Sequence, residues 1–311
     1  MIKEEFYFDS RDGENRIHAV RYTPDDGNVR GIVQIVHGMA EYVERYENLA
    51  EFLTKRGILV TGEDHLGHGK SVSEGGSFGY FCEQDPATVV VRDVHRLKKI
   101  TEEQYPQVPY IILGHSMGSF IARNYLCRSG IGGAVIVGTG MQPAGLIFAS
   151  KAMAGIQKLF CGSKHVSHFI DKAAFGGYNK RIDSPRTSSD WLSRNTENVD
   201  RYIADELCGF TFTVNGFQTL FELIRRLQKQ ENLEKVPQNL PILMVSGAED
   251  PVGDYGKGVH KACDSLKRAG VKNITVKLYE NDRHELLNED DAETAMEDIW
   301  QWICKEIPGI A

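Results

Sequence analysis

The stretch Tyr110-Ile-Ile-Leu-Gly114-His-Ser116-Met-Gly118-Ser-Phe-Ile constrains this chain more than any other. Four apolar or aromatic residues run into Gly-His-Ser-Met-Gly, and Phe120, Ile121, Tyr125 and Leu126 follow at helical spacing. The pattern predicts strand, sharp turn and helix, with Ser116 at the apex. Glycines at 114 and 118 let the arms of the turn pass too close for a Cβ. Such a turn strains the serine and lifts its hydroxyl above the sheet, beside the unpaired N–H groups of a helix start. Ser116 is therefore a candidate nucleophile. The plain alternative is a strand-to-helix connection that merely uses glycines, and the strand–turn–helix setting weighs against it.

The flanking sequence tells what sheet the turn belongs to. Glu5-Phe-Tyr-Phe, a turn at Asp12-Gly13 and Arg16–Thr23 read as an antiparallel hairpin. Gly31-Ile-Val-Gln-Ile-Val is apolar almost throughout, as in a strand covered on both faces. Further strand runs follow at Ile58, Tyr110, Ala134, Pro241 and Asn273, separated by helical patterns such as Tyr46/Leu49/Ala50/Leu53 and Val90/Val94/Leu97. Strands alternating with helices imply an α/β fold: a mostly parallel central sheet flanked by helices. The alternation breaks between about Gly140 and Arg226, where only helices are expected. We therefore expect a core formed by residues 1–139 and 227–311, and a helical cap, residues 140–226, inserted before the strand that carries the acid.

Composition excludes several classes. The formal charge is -7 and no basic run is dense enough to track phosphates, so no nucleic-acid partner is expected. The opening residues carry three charges before any apolar run, and no later stretch is long enough to span a bilayer, which points to the cytoplasm. Six scattered cysteines form no C-x-x-C pair and no histidines form H-E-x-x-H, so neither a disulfide frame nor a metal is expected.

In open parallel sheets ligands collect outside the carboxyl ends of the strands. Three reactive residues fall there: Ser116, Asp250 after Leu243-Met-Val-Ser-Gly-Ala-Glu, and His284 after Tyr279 and a short polar loop. Each meets a need of acyl transfer. The serine hydroxyl needs a base, an imidazole titrates near neutrality, and a carboxylate fixes the imidazole's tautomer. Glu249 and Asp254 are rival acids, and His284 alone reads equally as a surface-loop histidine. The chain order Ser, Asp, His is that of the α/β-hydrolase triad. An oxyanion would be met by the backbone N–H of Met117 and, from the loop His37-Gly38-Met39-Ala40, that of Met39.

These residues resemble the monoacylglycerol lipase/lysophospholipase branch of the α/β-hydrolases. His37-Gly-Met-Ala-Glu41-Tyr-Val-Glu-Arg45-Tyr46 is similar to its H-G-x-x-E-x-x-x-R-Y segment, and Asp64-His-Leu-Gly-His-Gly-Lys-Ser71 to its D-x-x-G-H-G-x-S loop. Asp190-Trp-Leu-Ser-Arg and Leu207-Cys-Gly-Phe look like bacterial members of the wider group. The resemblance implies an α/β-hydrolase fold and hydrolysis of lipid-type esters through an acyl-enzyme, with no cofactor. It implies that Glu41 and Arg45 hold a glycerol-like head; an i,i+4 helix pair on a solvated face is the alternative. It gives His65, His68 and His115 a bracing role around the active-site loops.

The same machinery serves a carboxylesterase or amidase for short or aromatic acyl groups, or, stripped of chemistry, a binding protein on the same scaffold. In the cap, Ala144–Phe160 is apolar almost all round, with Lys151 and Lys158 on one narrow stripe. We expect it to pack on the core and line an acyl pocket, with transient contact to a lipid surface as the further option. Phe217, Leu220, Phe221, Ile224 and Leu227 mark a second, core-facing helix.

Overall fold

The hairpin predicted around Asp12-Gly13 forms: β1 (Ile2–Asp9) and β2 (Arg16–Thr23) pair antiparallel, with Phe6 opposite Ala19. The apolar runs become β3 (Gly31–Val36), β4 (Ile58–Glu63), β5 (Tyr110–His115), β6 (Gly133–Val137) and β7 (Ile242–Gly247), each buried along its whole length, and the half-exposed β8 (Ile274–Tyr279). This computed structural model describes residues 1–128 and 130–310. Residues 129 and 311, both inside the expected core ranges, lie outside them.

The eight strands form one sheet in the order β1-β2-β4-β3-β5-β6-β7-β8, parallel from β4 to β8. Helices α1 (Glu47–Thr54), α2 (Pro86–Gln104), α3 (Met117–Tyr125), α4 (Ala144–Cys161), α5 (His168–Phe175), α6 (Thr196–Ala204), α7 (Val214–Arg226), α8 (Gln230–Leu233), α9 (Lys257–Arg268) and α10 (Ala292–Glu306) fill the connections. Strand alternation sorts the core into two layers. Val33, Ile35, Ile111, Leu113, Val135 and Val245 pack with α1 and α10, while Ile32, Ile112, Ile136, Ile242 and Met244 pack with α2, α3 and α9.

Two points concern the site. The sheet reverses its winding between β3 and β5, which pair with Val36 beside Gly114, so their outgoing loops open side by side at the switch point. Between β6 and β7 run α4 to α8. Phe217, Leu220, Phe221 and Ile224 of α7 are buried in the same hydrophobic cluster as Ile32 and Ile112, so this insertion shares its core with the sheet.

Candidate active site

The turn after β5 holds Ser116 at φ 54° and ψ -121°, a left-handed conformation that a non-glycine residue adopts only when its surroundings impose it. Here they do. A Cβ on Gly118 would fall 1.9 Å from the Val36 carbonyl oxygen, and one on Gly114 would fall 2.5 Å from that of Gly118. The Ser116 N–H donates to the Val137 carbonyl at 3.0 Å, and its own carbonyl accepts from the Ser119 hydroxyl at 2.5 Å. The next residue, Met117, opens α3, so its N–H has no partner within the helix.

The loop after β3 is equally constrained. His37 Nδ1–H donates to the Gly38 carbonyl at 2.8 Å, and its Nε2 accepts the His65 N–H at 3.0 Å, which sets one neutral tautomer. Burial holds its pKa below the usual histidine value and so keeps that tautomer. Because the peptide is planar, anchoring the Gly38 carbonyl turns the Met39 N–H the opposite way. The Gly38 N–H donates to Glu41 Oε1 at 2.5 Å, and a Cβ on Gly38 would fall 3.0 Å from the Cβ of Ser116. The rings of His37 and His65 stack at 4.1 Å, and His68 Nδ1 lies 3.0 Å from the Leu66 carbonyl. Burial pushes the pKa of His65 well below the ordinary value and that of His68 down to about 3, so both stay neutral.

His284 follows β8. Its Nδ1 lies 3.0 Å from Asp250 Oδ2, which turns Nε2 away from that carboxylate. Asp250 is fully buried and also accepts from the Ser246 hydroxyl at 3.1 Å and the Val252 N–H at 2.8 Å. The rival acids Glu249 and Asp254 are exposed. Ser116, His284, Met39, Met117 and Glu41 all line one cavity of about 680 Å³. Its remaining wall is largely apolar, with Phe120, Leu146, Ile147, Met153, Phe221 and Ile224 among the lining residues.

Glu41 and Arg45 are not a helix pair on a solvated face. Both are largely buried, because Glu41 precedes the 3-10 turn Val43–Tyr46 and its carboxylate points inward. It accepts from Gly38, from the Tyr46 hydroxyl at 2.8 Å and from Arg45 at 2.8 Å. Burial works against its charge, but the hydrogen bond with His115 and the Arg45 charge hold its carboxyl well below the usual range. Arg45 is not among the described residues that line the cavity; it forks onto Glu285, at 2.7 and 2.8 Å. Tyr46, expected on the helix face, ends the 3-10 turn and reaches His115 at 2.8 Å.

Several contributors were not legible in the sequence. Trp191 lies over the His284 ring at 5.1 Å, and Arg283 donates to the carbonyls of Asp190 and Ser193 at 2.7 and 3.1 Å. The Glu285 N–H donates to the Leu192 carbonyl at 2.6 Å. Asp190-Trp-Leu-Ser-Arg is thus bound to the histidine loop. The Gly209 N–H donates to the Ala40 carbonyl at 3.0 Å, which binds Leu207-Cys-Gly-Phe to the loop after β3. The motif itself was the only signal for either contact; the partner of each is far away in sequence. Glu5, His18 and Glu44 lie close enough together to approach a cation, but Lys70 already sits 2.8 Å from Glu5 and 3.0 Å from Glu44. Among the described residues no helix is long and apolar enough to cross a membrane.

A family model described as serine aminopeptidase, S33 matches residues 27–291. A monoglyceride lipase from Rattus norvegicus is 28% identical over 293 residues, covering 92% of this chain and 86% of that protein. A monoacylglycerol lipase from Mycolicibacterium smegmatis is 28% identical over 287 residues, covering 92% of both. Among solved structures, a thermostable carboxyl esterase from Bacillus coagulans in complex with glycerol superimposes with a TM-score of 0.91, at 30% identity and with both chains covered completely.

Proposed function

The chain belongs to the serine aminopeptidase S33 family of α/β-hydrolases, in its monoacylglycerol lipase-like branch, and on that footing we propose that it cleaves lipid-type esters, monoacylglycerols or lysophospholipids, through an acyl-enzyme. Ester hydrolysis is the activity of its relatives by name. The observation that carries the lipid reading is the largely apolar cavity with Ser116 and His284 on its wall.

In this reading His284 Nε2 takes the Ser116 proton as the hydroxyl oxygen attacks the acyl carbonyl. Asp250 holds Nδ1–H and stabilises the imidazolium. The Met39 and Met117 N–H groups receive the oxyanion. His284 then returns the proton to the leaving alkoxide, and water repeats the cycle in reverse to free the acid and Ser116. In the same reading Glu41, on the cavity wall, meets a glycerol-like head, and Arg45 acts through Glu41 and Glu285.

Residues 140–226 serve in this proposal as the cap that forms the acyl site: Leu146, Ile147, Met153, Phe221 and Ile224 come from α4 and α7. Phe148, Leu159 and Phe160 of α4 are exposed at 77, 83 and 84%, apolar surface suited to transient contact with a lipid surface.

A second reading, a carboxylesterase or amidase for shorter acyl groups, draws on the similarity to the Bacillus coagulans esterase. A panel of monoacylglycerols and lysophosphatidylcholines of increasing chain length, run with Ser116→Ala alongside, separates the two. Long-chain turnover abolished by the substitution supports the lipid reading. Turnover confined to short activated esters supports the second. No turnover, with Ser116 unlabelled by a fluorophosphonate, overturns both.

A further inference from the structure

His115 precedes the nucleophile, and both of its ring nitrogens face hydrogen-bond acceptors. Nε2 lies 3.2 Å from the His284 carbonyl oxygen, which can only accept. Nδ1 lies 3.2 Å from Glu41 Oε1, a carboxylate oxygen, and 2.8 Å from the Tyr46 hydroxyl, whose proton is given to Glu41 at 2.8 Å. A neutral imidazole carries one N–H and leaves one of these contacts without a proton. Both contacts are made only by the doubly protonated ring.

That ring sits against the one that does the chemistry in the reading above. The centroids of His115 and His284 are 4.8 Å apart with 39° between their planes. From these contacts we infer that His115 is held as an imidazolium, and that its fixed positive charge keeps His284 in the neutral, proton-accepting form. The inference rests on the assignment of His284 as base only for its catalytic consequence; the charge of His115 stands on its own hydrogen bonds.

The surrounding groups agree in sign. Burial opposes a charge on His115, but the hydrogen bond and charge of Glu41, with Glu285 adding to them, raise its pKa above the ordinary histidine value. Arg45 faces the same carboxylates and balances the second negative charge, so Glu41, Glu285, Arg45 and protonated His115 sum to zero. Around His284 itself, Asp250 favours the imidazolium from the β7 side and the Trp191 face adds to that from the cap. Gly138 approaches from β6 with no charge. His115 is the cation that opposes them. The effect is to let the base pick up a proton during the reaction without holding one beforehand.

A positive neighbour disfavours protonation of His284, so removing it raises the pKa of His284 and moves the acid limb of kcat/KM to higher pH. His115→Gln keeps an N–H donor for the His284 carbonyl but carries no charge. We expect its limb to move up by about one pH unit, the part of a close charge pair left after Glu41 offsets it. His115→Asn, a shorter neutral amide, should move the limb the same way if His115→Gln folds poorly. Imidazole 15N spectra provide a readout independent of turnover. At pH 7 one ring, lost in His115→Gln, should show both nitrogens protonated, and the His284 titration should move upward in the variant. A neutral His115 at pH 7, or an unmoved His284 titration in both variants, overturns the inference even if the enzyme is active. Absence of ester hydrolysis with the spectra as expected overturns the catalytic reading instead.

Discussion

The Arg45 guanidinium meets the Glu285 carboxylate at two points, Nη1–Oε1 2.7 Å and Nη2–Oε2 2.8 Å, and Glu285 is the residue after His284. The same guanidinium reaches Glu41, whose other oxygen receives the Gly38 N–H. One cation therefore links the loop that carries the proposed base to the loop proposed to carry an oxyanion donor. Asn198 of α6 donates to Glu285 at 2.7 Å and Tyr202 lies 4.9 Å from the guanidinium, so the insertion is tied to the same point.

Arg45→Ala leaves two buried carboxylates, Glu41 and Glu285, with His115 as the cation still beside them. The expected cost is about 3–5 kcal/mol of unfolding free energy, with Arg45→Lys intermediate because it keeps the charge but not the fork. Urea unfolding curves measure both. A midpoint for Arg45→Ala equal to that of the parent would contradict the linkage.

Gly38→Ala introduces a methyl group 2.6 Å from Glu41 Oε1 and 3.0 Å from the Ser116 Cβ. The Gly38–Met39 peptide must then move, and the donor proposed for the oxyanion moves with it. We expect kcat to fall by about 10²–10³ while KM changes little. A rise in KM with kcat unchanged would instead place Gly38 in substrate binding.

Asp250→Asn keeps the size of the side chain but removes the charge that orients His284. Turnover should drop about 10⁴-fold, whereas Glu249→Gln and Asp254→Asn, both at exposed positions, should remain near the parent value. Steady-state rates on one activated ester compare all three. A large loss in Asp254→Asn alone would reassign the acid.

The exposed apolar surface of α4 provides a separate test of the lipid-surface proposal. Leu159→Ser combined with Phe160→Ser should lower co-sedimentation with phosphatidylcholine vesicles several-fold, because each buried CH₂ contributes about 0.8 kcal/mol to such contact. Sedimentation unchanged from the parent would remove that surface from the proposal.

Local pattern was enough for the architecture. The apolar runs at Gly31, Ile58, Tyr110, Ala134 and Pro241 are strands covered on both faces, and residues 144–226 contain helices with no sheet strand. Backbone geometry is a short-range matter, so the glycines around Ser116 were sufficient to read the turn. Strand ends on a parallel sheet share one edge, which is why Ser116, Asp250 and His284 were legible as candidates from their order alone.

What the sequence by itself determined, then, was the kind of sheet, the strained serine and the short set of residues on its active edge. Only the tertiary structure decided which of the candidate acids meets His284: Asp250 is buried against it while Asp254 is exposed, and Arg45 is turned to Glu285, 240 positions away. It also decided that Trp191 covers His284 and that His115 has acceptors on both nitrogens. The reason is physical. Hydrogen-bond partners and ring contacts depend on where distant segments meet, and burial, which sets the charge of groups such as Glu41 and His115, exists only once the chain has closed around them.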